Sequence, residues 1–173
     1  MAIADKNSEY FRNMLSHPHE SVMHGEKLVN LECDSTHLAL LLTLINKTRK
    51  DEPYTWQELC EVLAIGKRYH FIHIPDLVHQ PAGQCLNGKN ASAIFQFAGA
   101  HGFPDLAKYA IVRFADSRFT HFEPKDVPLS FHDEIHPRYA AALMVAMSQY
   151  PVTLAMAPRD RWRSISGAFR VSE

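Results

Sequence analysis

The run from Leu38 to Ile45 constrains the fold more than any other segment, because it is apolar apart from Thr43. A membrane-spanning helix needs about 20 continuous apolar residues, so this run is too short to cross a bilayer. Asp34 or Ser35 can cap a helix at its start. We therefore predict a helix that is buried on nearly all of its faces, with the chain folded around it.

Capping and turn residues place further helices. Thr55 and Glu58 stand at capping-box spacing, which predicts a helix from Trp56 with one apolar face. Asn90 can cap a helix over 91–101, and Pro104 suits the first position of a second helix that ends at Phe114. A turn at Gly102 would join these two helices as an antiparallel hairpin. The apolar face of the Trp56 helix comprises Leu59, Val62, Leu63 and Tyr69.

The remaining segments have weaker patterns. Residues 8–15 suit a short amphipathic helix, and residues 27–32 suit a strand. Pro75 can open a helix, which we expect to end or kink at Pro81 before Cys85. A helix is expected over 138–150, and the tail from Pro151 has no clear period.

Composition limits the classes of function. The 173 residues are 46% hydrophobic and 21% charged, as in ordinary globular domains. Eighteen basic and nineteen acidic residues give a net charge of −1 with no basic run, which disfavours nucleic-acid binding. The first residues lack an apolar leader, so we expect a cytoplasmic or nuclear protein without a membrane anchor. The three scattered cysteines (Cys33, Cys60 and Cys85) are expected to be buried free thiols.

The order of these motifs resembles the BTB/POZ domain family, in a fungal-type form without its amino-terminal strands. The motifs are Ser8-x-Tyr10-Phe11-x-x-Met14-Leu15, the strand Leu28–Leu31, the helix Leu38–Ile45 and Leu63-Ala64 followed by Tyr69. The resemblance implies an α+β, predominantly helical fold: a BTB/POZ-like core with a short sheet, followed by a helical extension. The implied divisions are a BTB/POZ-like domain over 1–86, a helical hairpin over 87–122, and a helix with a weakly patterned tail over 123–173.

The resemblance also implies a function. Members of the family are protein-interaction adaptors or scaffolds, some of them substrate adaptors for cullin-type ubiquitin ligases, and some self-associate. Pro18, His19 and Glu20 occupy the place where such adaptors carry an apolar residue, any residue and Glu, so Glu20 matches and Pro18 departs. Together with Tyr54 and Trp56, these residues are the expected partner-binding set.

Catalytic, cofactor and metal sites are not predicted. His132 and His136 stand four residues apart, but the intervening Glu is misplaced for a zinc-protease signature and Pro137 follows directly. His70 with His73, and His17 with His19, lack thiol or carboxylate clusters nearby. No nucleophile elbow or phosphate loop frames any Ser or Cys, so we expect a protein that is not an enzyme and binds no cofactor.

Two alternatives stay open. The stripe Trp56, Leu59, Val62 and Leu63 suits a partner groove, but core is the more common role of such residues. The cluster Arg159, Arg161, Trp162 and Arg163 is the one basic-aromatic group, and it suits either RNA or acidic partners, or a solvated tail. An all-helical regulatory or nucleic-acid-binding module is therefore the alternative to the adaptor.

Overall fold

The computed structural model describes residues 22–23, 26–27, 34–46, 53–71, 74–123 and 135–171. The chain divides into two compact units, Met1–Cys85 and Leu86–Glu173. The described elements of the first unit are β1 (Val22–Met23), β2 (Glu26–Lys27), α1 (Ser35–Asn46), α2 (Trp56–Arg68) and α3 (Ile74–Cys85). Those of the second unit are α4 (Ala91–His101), α5 (Pro104–Arg113), a 3-10 turn (Phe114–Asp116), α6 (Pro137–Ser148) and α7 (Pro158–Ala168).

The predicted BTB-like core with a short sheet is wrong, because the described part of the chain is helical. Its strands are the two-residue β1 and β2, which pair antiparallel with Val22 opposite Lys27. The expected strand over 27–32 lies outside the described residues after Lys27. The motifs that resemble the BTB/POZ family consist of loosely spaced apolar residues. Packed helices contain loosely spaced apolar residues as often as a mixed α+β fold does, so these motifs do not distinguish the two folds. The predicted boundaries at 86/87 and 122/123 stay a prediction.

The first unit shows a leucine-rich helix that is buried on one side alone. Only Leu41 and Leu44 of α1 are buried, and Leu42 remains 39% exposed. The expectation of burial on nearly all faces is therefore wrong, because apolar composition does not decide which sides meet other helices. The predicted cap is confirmed, since the Asp34 carboxylate accepts from the Thr36 amide at 2.7 Å. α1 packs against α2, which in turn packs against α3.

The second helix of this unit begins as predicted. The Thr55 hydroxyl accepts from the Glu58 amide at 3.2 Å, and Glu58 accepts from the Thr55 amide at 2.7 Å. These two bonds satisfy amide donors that the first helical turn leaves free. The predicted apolar face of α2 (Leu59, Val62, Leu63 and Tyr69) is buried.

The third helix continues past Pro81, where an end or a kink was expected, so the expectation of an end is wrong. α3 runs through Pro81 to Cys85, although a proline inside a helix removes one backbone hydrogen bond. Val78 and Ala82, four residues apart, are both buried. Because this buried face spans the proline position, packing holds the helix together there.

The second unit contains the predicted pair of helices, α4 and α5. They are joined by Gly102, which has the left-handed φ of 69°, and Phe103, and they pack against each other. Asn90 occupies the N-cap position of α4 as predicted, but its side-chain oxygen makes no capping bond to the helix and accepts instead from the Asn87 amide at 2.9 Å. Gly88 is required in this turn, since a Cβ there would lie 2.1 Å from the Asp116 carbonyl oxygen.

Aromatic side chains form the centre of the second unit. The fully buried ring of Phe95 makes edge-to-face contacts with Phe114, Tyr139 and Phe169 at centroid distances of 5.9, 6.2 and 5.9 Å. Such pairs contribute beyond the area that they bury. The three partner rings come from the end of α5, from α6 and from the residue after α7, so one aromatic cluster joins segments that are far apart in sequence.

Candidate interaction surface

The predicted partner-binding set is only partly described. Pro18, His19 and Glu20 lie outside the described residues. Tyr54 and Trp56 flank the capping residue Thr55, and both side chains are half-buried. These two aromatic residues lie two positions apart at the start of α2. The exposed residues of α2 are Gln57, Glu61, Lys67 and Arg68, so its solvent face is polar.

Exposed apolar side chains are concentrated elsewhere, in the second unit. Among the described residues, five large hydrophobic side chains are exposed, and three of them are Val152, Leu154 and Met156. These three belong to the connection between α6 and α7, and we call residues 151–157 the apolar loop. Exposed apolar side chains that are grouped on a folded protein commonly mark a binding site, and these three share one loop. The sequence pattern does not reveal this surface, because the loop has no helical or strand period.

Backbone hydrogen bonds give the apolar loop a defined conformation. The Leu154 amide donates to the Pro151 carbonyl at 3.1 Å, and the Met156 amide donates to the Leu154 carbonyl at 2.7 Å. The Val152 amide donates to the Glu123 carboxylate. The loop therefore presents its apolar side chains from a bonded turn, which lowers the entropy that a partner would have to remove on binding.

The buried Arg161 makes hydrogen bonds next to the start of the apolar loop. Arg161, only 3% exposed, donates from Nε to the Tyr150 carbonyl at 2.6 Å and from Nη2 to the Phe122 carbonyl at 2.9 Å. Its Nη2 also lies 3.4 Å from the Glu123 carboxylate. Glu123 thus connects the guanidinium with the Val152 amide, and the start of the loop is fixed to the core through charge-assisted bonds.

The electrostatic setting of Arg161 is that of a compensated buried charge. Burial lowers the pKa of its guanidinium, and the negative charge of Glu123 opposes that change. Within the described part of the chain, Nη1 is a buried side-chain donor without an acceptor. Because an arginine stays protonated far above neutral pH, the guanidinium of Arg161 holds its charge under physiological conditions.

The predicted basic-aromatic cluster is divided between core and surface. Trp162 is fully buried and donates from Nε1 to the Thr120 carbonyl at 3.1 Å. Arg159 bonds to Asp116 at 3.1 Å, and Arg163 lies 3.8 Å from Asp160. The expectation of a solvated tail is wrong here, because α7 packs against α5 and α6. The arrangement also disfavours RNA binding, since each arginine of the cluster is buried or faces a carboxylate.

The cysteine and histidine side chains in the described residues have structural positions. Cys60 is a buried free thiol, as predicted, and burial raises its pKa to about 12, so it is protonated at neutral pH. Cys85 is half-buried, and its thiol donates to the Ala82 carbonyl at 3.7 Å, whereas Cys33 lies outside the described residues. His136 occupies the N-cap of α6, where its Nδ1 accepts from the Arg138 amide at 3.4 Å. His136 thus contributes to the start of a helix.

No group of three or more His, Cys, Asp or Glu residues in the described ranges is arranged to hold a metal ion. None of the helices in those ranges combines the length and the apolar character needed to cross a bilayer. The chain matches no protein-family model, and no significant similarity to a curated protein or to a solved structure was found. The BTB/POZ resemblance therefore stays a prediction.

Proposed function

We propose that this chain is a non-enzymatic helical interaction module that binds a protein partner through the apolar loop. The observation that supports this function is the concentration of Val152, Leu154 and Met156 in one exposed, internally bonded turn. Burying apolar side chains is the main driving force of most protein association. Residues at the centre of an interface, surrounded by polar ones, usually provide most of the affinity.

The surroundings of the loop favour a partner with an apolar segment. Arg159, Asp160 and Arg163 follow the loop along the chain, and each faces an opposite charge within the second unit. This rim is polar with its charges already compensated, so it provides little attraction for a highly charged ligand. A protein partner that offers aliphatic or aromatic side chains fits this surface better than a nucleic acid does.

Affinity purification of the full chain from its source cells tests this function. The wild type is compared with the double variant Leu154→Asp with Met156→Asp, and with Leu42→Asp as a matched control. Leu42 is 39% exposed and Leu154 is 42% exposed, but Leu42 lies on α1 in the first unit. A partner recovered with the wild type is then purified and titrated with each protein by calorimetry.

We expect the double variant to bind the recovered partner at least about tenfold more weakly than the wild type, because two carboxylates would replace apolar anchors. The control variant should bind as the wild type does. Equal affinities for all three proteins would contradict a role of the apolar loop. Circular dichroism of each variant separates loss of binding from loss of folding.

The proposed cullin partner requires a separate variant, because its contact residues Pro18, His19 and Glu20 lie outside the described residues. In the same purification, the Glu20→Lys chain is compared with the wild type. We expect a cullin to be recovered with the wild type and lost with Glu20→Lys. A recovered partner that is not a cullin and is unaffected by Glu20→Lys would leave the interaction function and remove the ligase role.

A further inference from the structure

Helix α6 has two apolar faces, of which only one is covered within the second unit. Its inner face is buried and comprises Tyr139, Ala140, Leu143, Ala146 and Met147. On the opposite side, Ala141 is exposed, Ala142 is half-buried, and Val145 is 61% exposed, the highest value among the exposed large hydrophobic residues described. Large apolar side chains of a helix normally face a core, so an exposed one beside small residues is a candidate contact.

The outer face of α6 has the spacing of a helix-packing seam. Arg138, Ala141, Ala142, Val145 and Ser148 follow one another at intervals of three, one, three and three residues. Positions at such intervals lie along one side of a helix. The small side chains of Ala141 and Ala142 leave room beside the larger Val145, so the face has both a projection and a shallow hollow.

The charge distribution along α6 is unfavourable for its helix dipole. Arg138 stands in the first turn, where there is no acidic residue, and the last turn has no basic residue. A cation is unfavourable near the positive amino end of a helix and favourable near the negative carboxyl end. Arg161 reaches the Tyr150 carbonyl from the buried side, where Glu123 balances its charge. The carboxyl end of the outer face therefore lacks a compensating cation among the described residues.

We propose that the outer face of α6 binds the same face of a second copy of this chain, with the two helices antiparallel. A twofold axis near the middle of α6 would place Val145 of each copy against Ala141 and Ala142 of the other copy. The same operation brings Arg138 of each copy to the carboxyl end of the other α6. The antiparallel arrangement thus covers both apolar faces and corrects the unfavourable charge at both helix ends.

The size of the face determines the strength of the dimer. With 12 residues, α6 is about 18 Å long. One helix face of this length is smaller than the roughly 800 Å² per partner of a stable interface. We therefore expect a reversible dimer whose population rises with protein concentration. This contact differs from the apolar loop in its residues and in its occupant.

Sedimentation velocity over a range of concentrations tests the proposal on the full chain. We expect wild type to shift from monomer to dimer, and Val145→Asp to remain monomeric or to associate about tenfold more weakly, because the carboxylates would be buried at the contact. Leu42→Asp, on an exposed site of α1, should associate as the wild type does. A wild-type chain that is monomeric at every concentration, or a dimer unaffected by Val145→Asp, would overturn the proposal.

The variant Arg138→Glu separates association from folding. An acidic residue suits the first turn of α6, so the thermal stability of the monomer should stay equal or rise. In the dimer the same residue would meet the negative carboxyl end of the other helix twice, and association should weaken by about fivefold or more. A dimer that is unaffected or strengthened by Arg138→Glu would overturn the antiparallel arrangement. Val145→Asp and Arg138→Glu should reduce self-association without affecting binding of the partner at the apolar loop. Binding at the apolar loop is tested independently, by the Leu154→Asp with Met156→Asp variant.

Discussion

Helices α1 and α7 show that burial follows position more than composition. α1 is rich in leucine, yet only Leu41 and Leu44 are buried. α7 contains three arginines and an aspartate, yet it buries Arg161, Trp162, Ile165 and Ser166. The buried polar side chains of α7, Arg161 and Ser166, donate hydrogen bonds to backbone carbonyls, and Arg161 also donates to the Glu123 carboxylate. A polar sequence can therefore form a core helix wherever its hydrogen bonds are completed.

The largest expected difference concerns the two tryptophans. Trp162 is fully buried, contacts the Phe114 ring edge-on at 5.3 Å and donates to the Thr120 carbonyl. Trp162→Ala should lower the free energy of unfolding by about 3–5 kcal/mol, because it leaves a cavity and an unsatisfied carbonyl. Trp56→Ala, at the half-buried start of α2, should have a clearly smaller effect. Urea unfolding followed by circular dichroism measures both, and equal losses would show that α7 is not a core helix.

A second comparison concerns two arginines of α7. Arg161→Met should lower the free energy of unfolding by about 3 kcal/mol, because Glu123 and two carbonyls lose their buried donor. Arg163→Met should change it by less than about 0.5 kcal/mol, because the exposed Arg163–Asp160 pair is weak. Thermal unfolding gives both values. Adding Glu123→Gln to Arg161→Met should restore part of the lost free energy of unfolding, because it removes the unpaired carboxylate. If nothing is restored, the Arg161–Glu123 pair is not the source of the stability.

The third comparison tests the two sides of α1. Leu41 is fully buried and Leu42 is 39% exposed, although they are neighbours in one leucine run. Leu41→Ala should destabilise the chain by about 2 kcal/mol or more, and Leu42→Ala by less than about 1 kcal/mol. Chemical denaturation measures the difference. Similar losses for both variants would mean that α1 is covered on both sides, as its composition alone suggested.

Several features of the fold were predictable because they depend on local chemistry. The capping box at Thr55 and Glu58, the cap at Asp34 and the proline start of α5 follow from short-range hydrogen bonds and backbone angles. α4 was predicted over the range that it occupies, between a turn and Gly102. These features require only residues within a few positions of one another, so the sequence alone contains the information.

Features that depend on distant residues were not predictable. In α7, Arg161 and Trp162 belong to the same buried side as Ile165 and Phe169, but the polar guanidinium hides that helical period. Two of the three acceptors of Arg161, Phe122 and Glu123, lie 39 and 38 residues earlier in the chain, and sequence spacing does not show their proximity. The apolar loop depends on the same contacts. The sheet was wrongly expected because apolar motifs in order do not distinguish helix packing from a mixed fold.

The smallest expected effect concerns how α1 and α7 begin. The pKa of Asp34 lies below its ordinary 3.8, because the Thr36 amide donates to its carboxylate. A lowered folded-state pKa gives stability that is present above the unfolded-state pKa and is lost as the pH falls through the folded-state value. The start of α1 should therefore weaken below about pH 4, whereas the cap residue of α7, Ala157, has no side chain that can titrate. Carboxyl NMR titration should give a pKa below 3.8 for Asp34. The control is thermal melting of Asp34→Asn, which keeps a capping oxygen without the charge. Because carboxyl groups have pKa values of roughly 4, both proteins are melted between about pH 2 and pH 6. A difference in melting temperature between wild type and variant that stays constant over this range would contradict this role of the Asp34 charge.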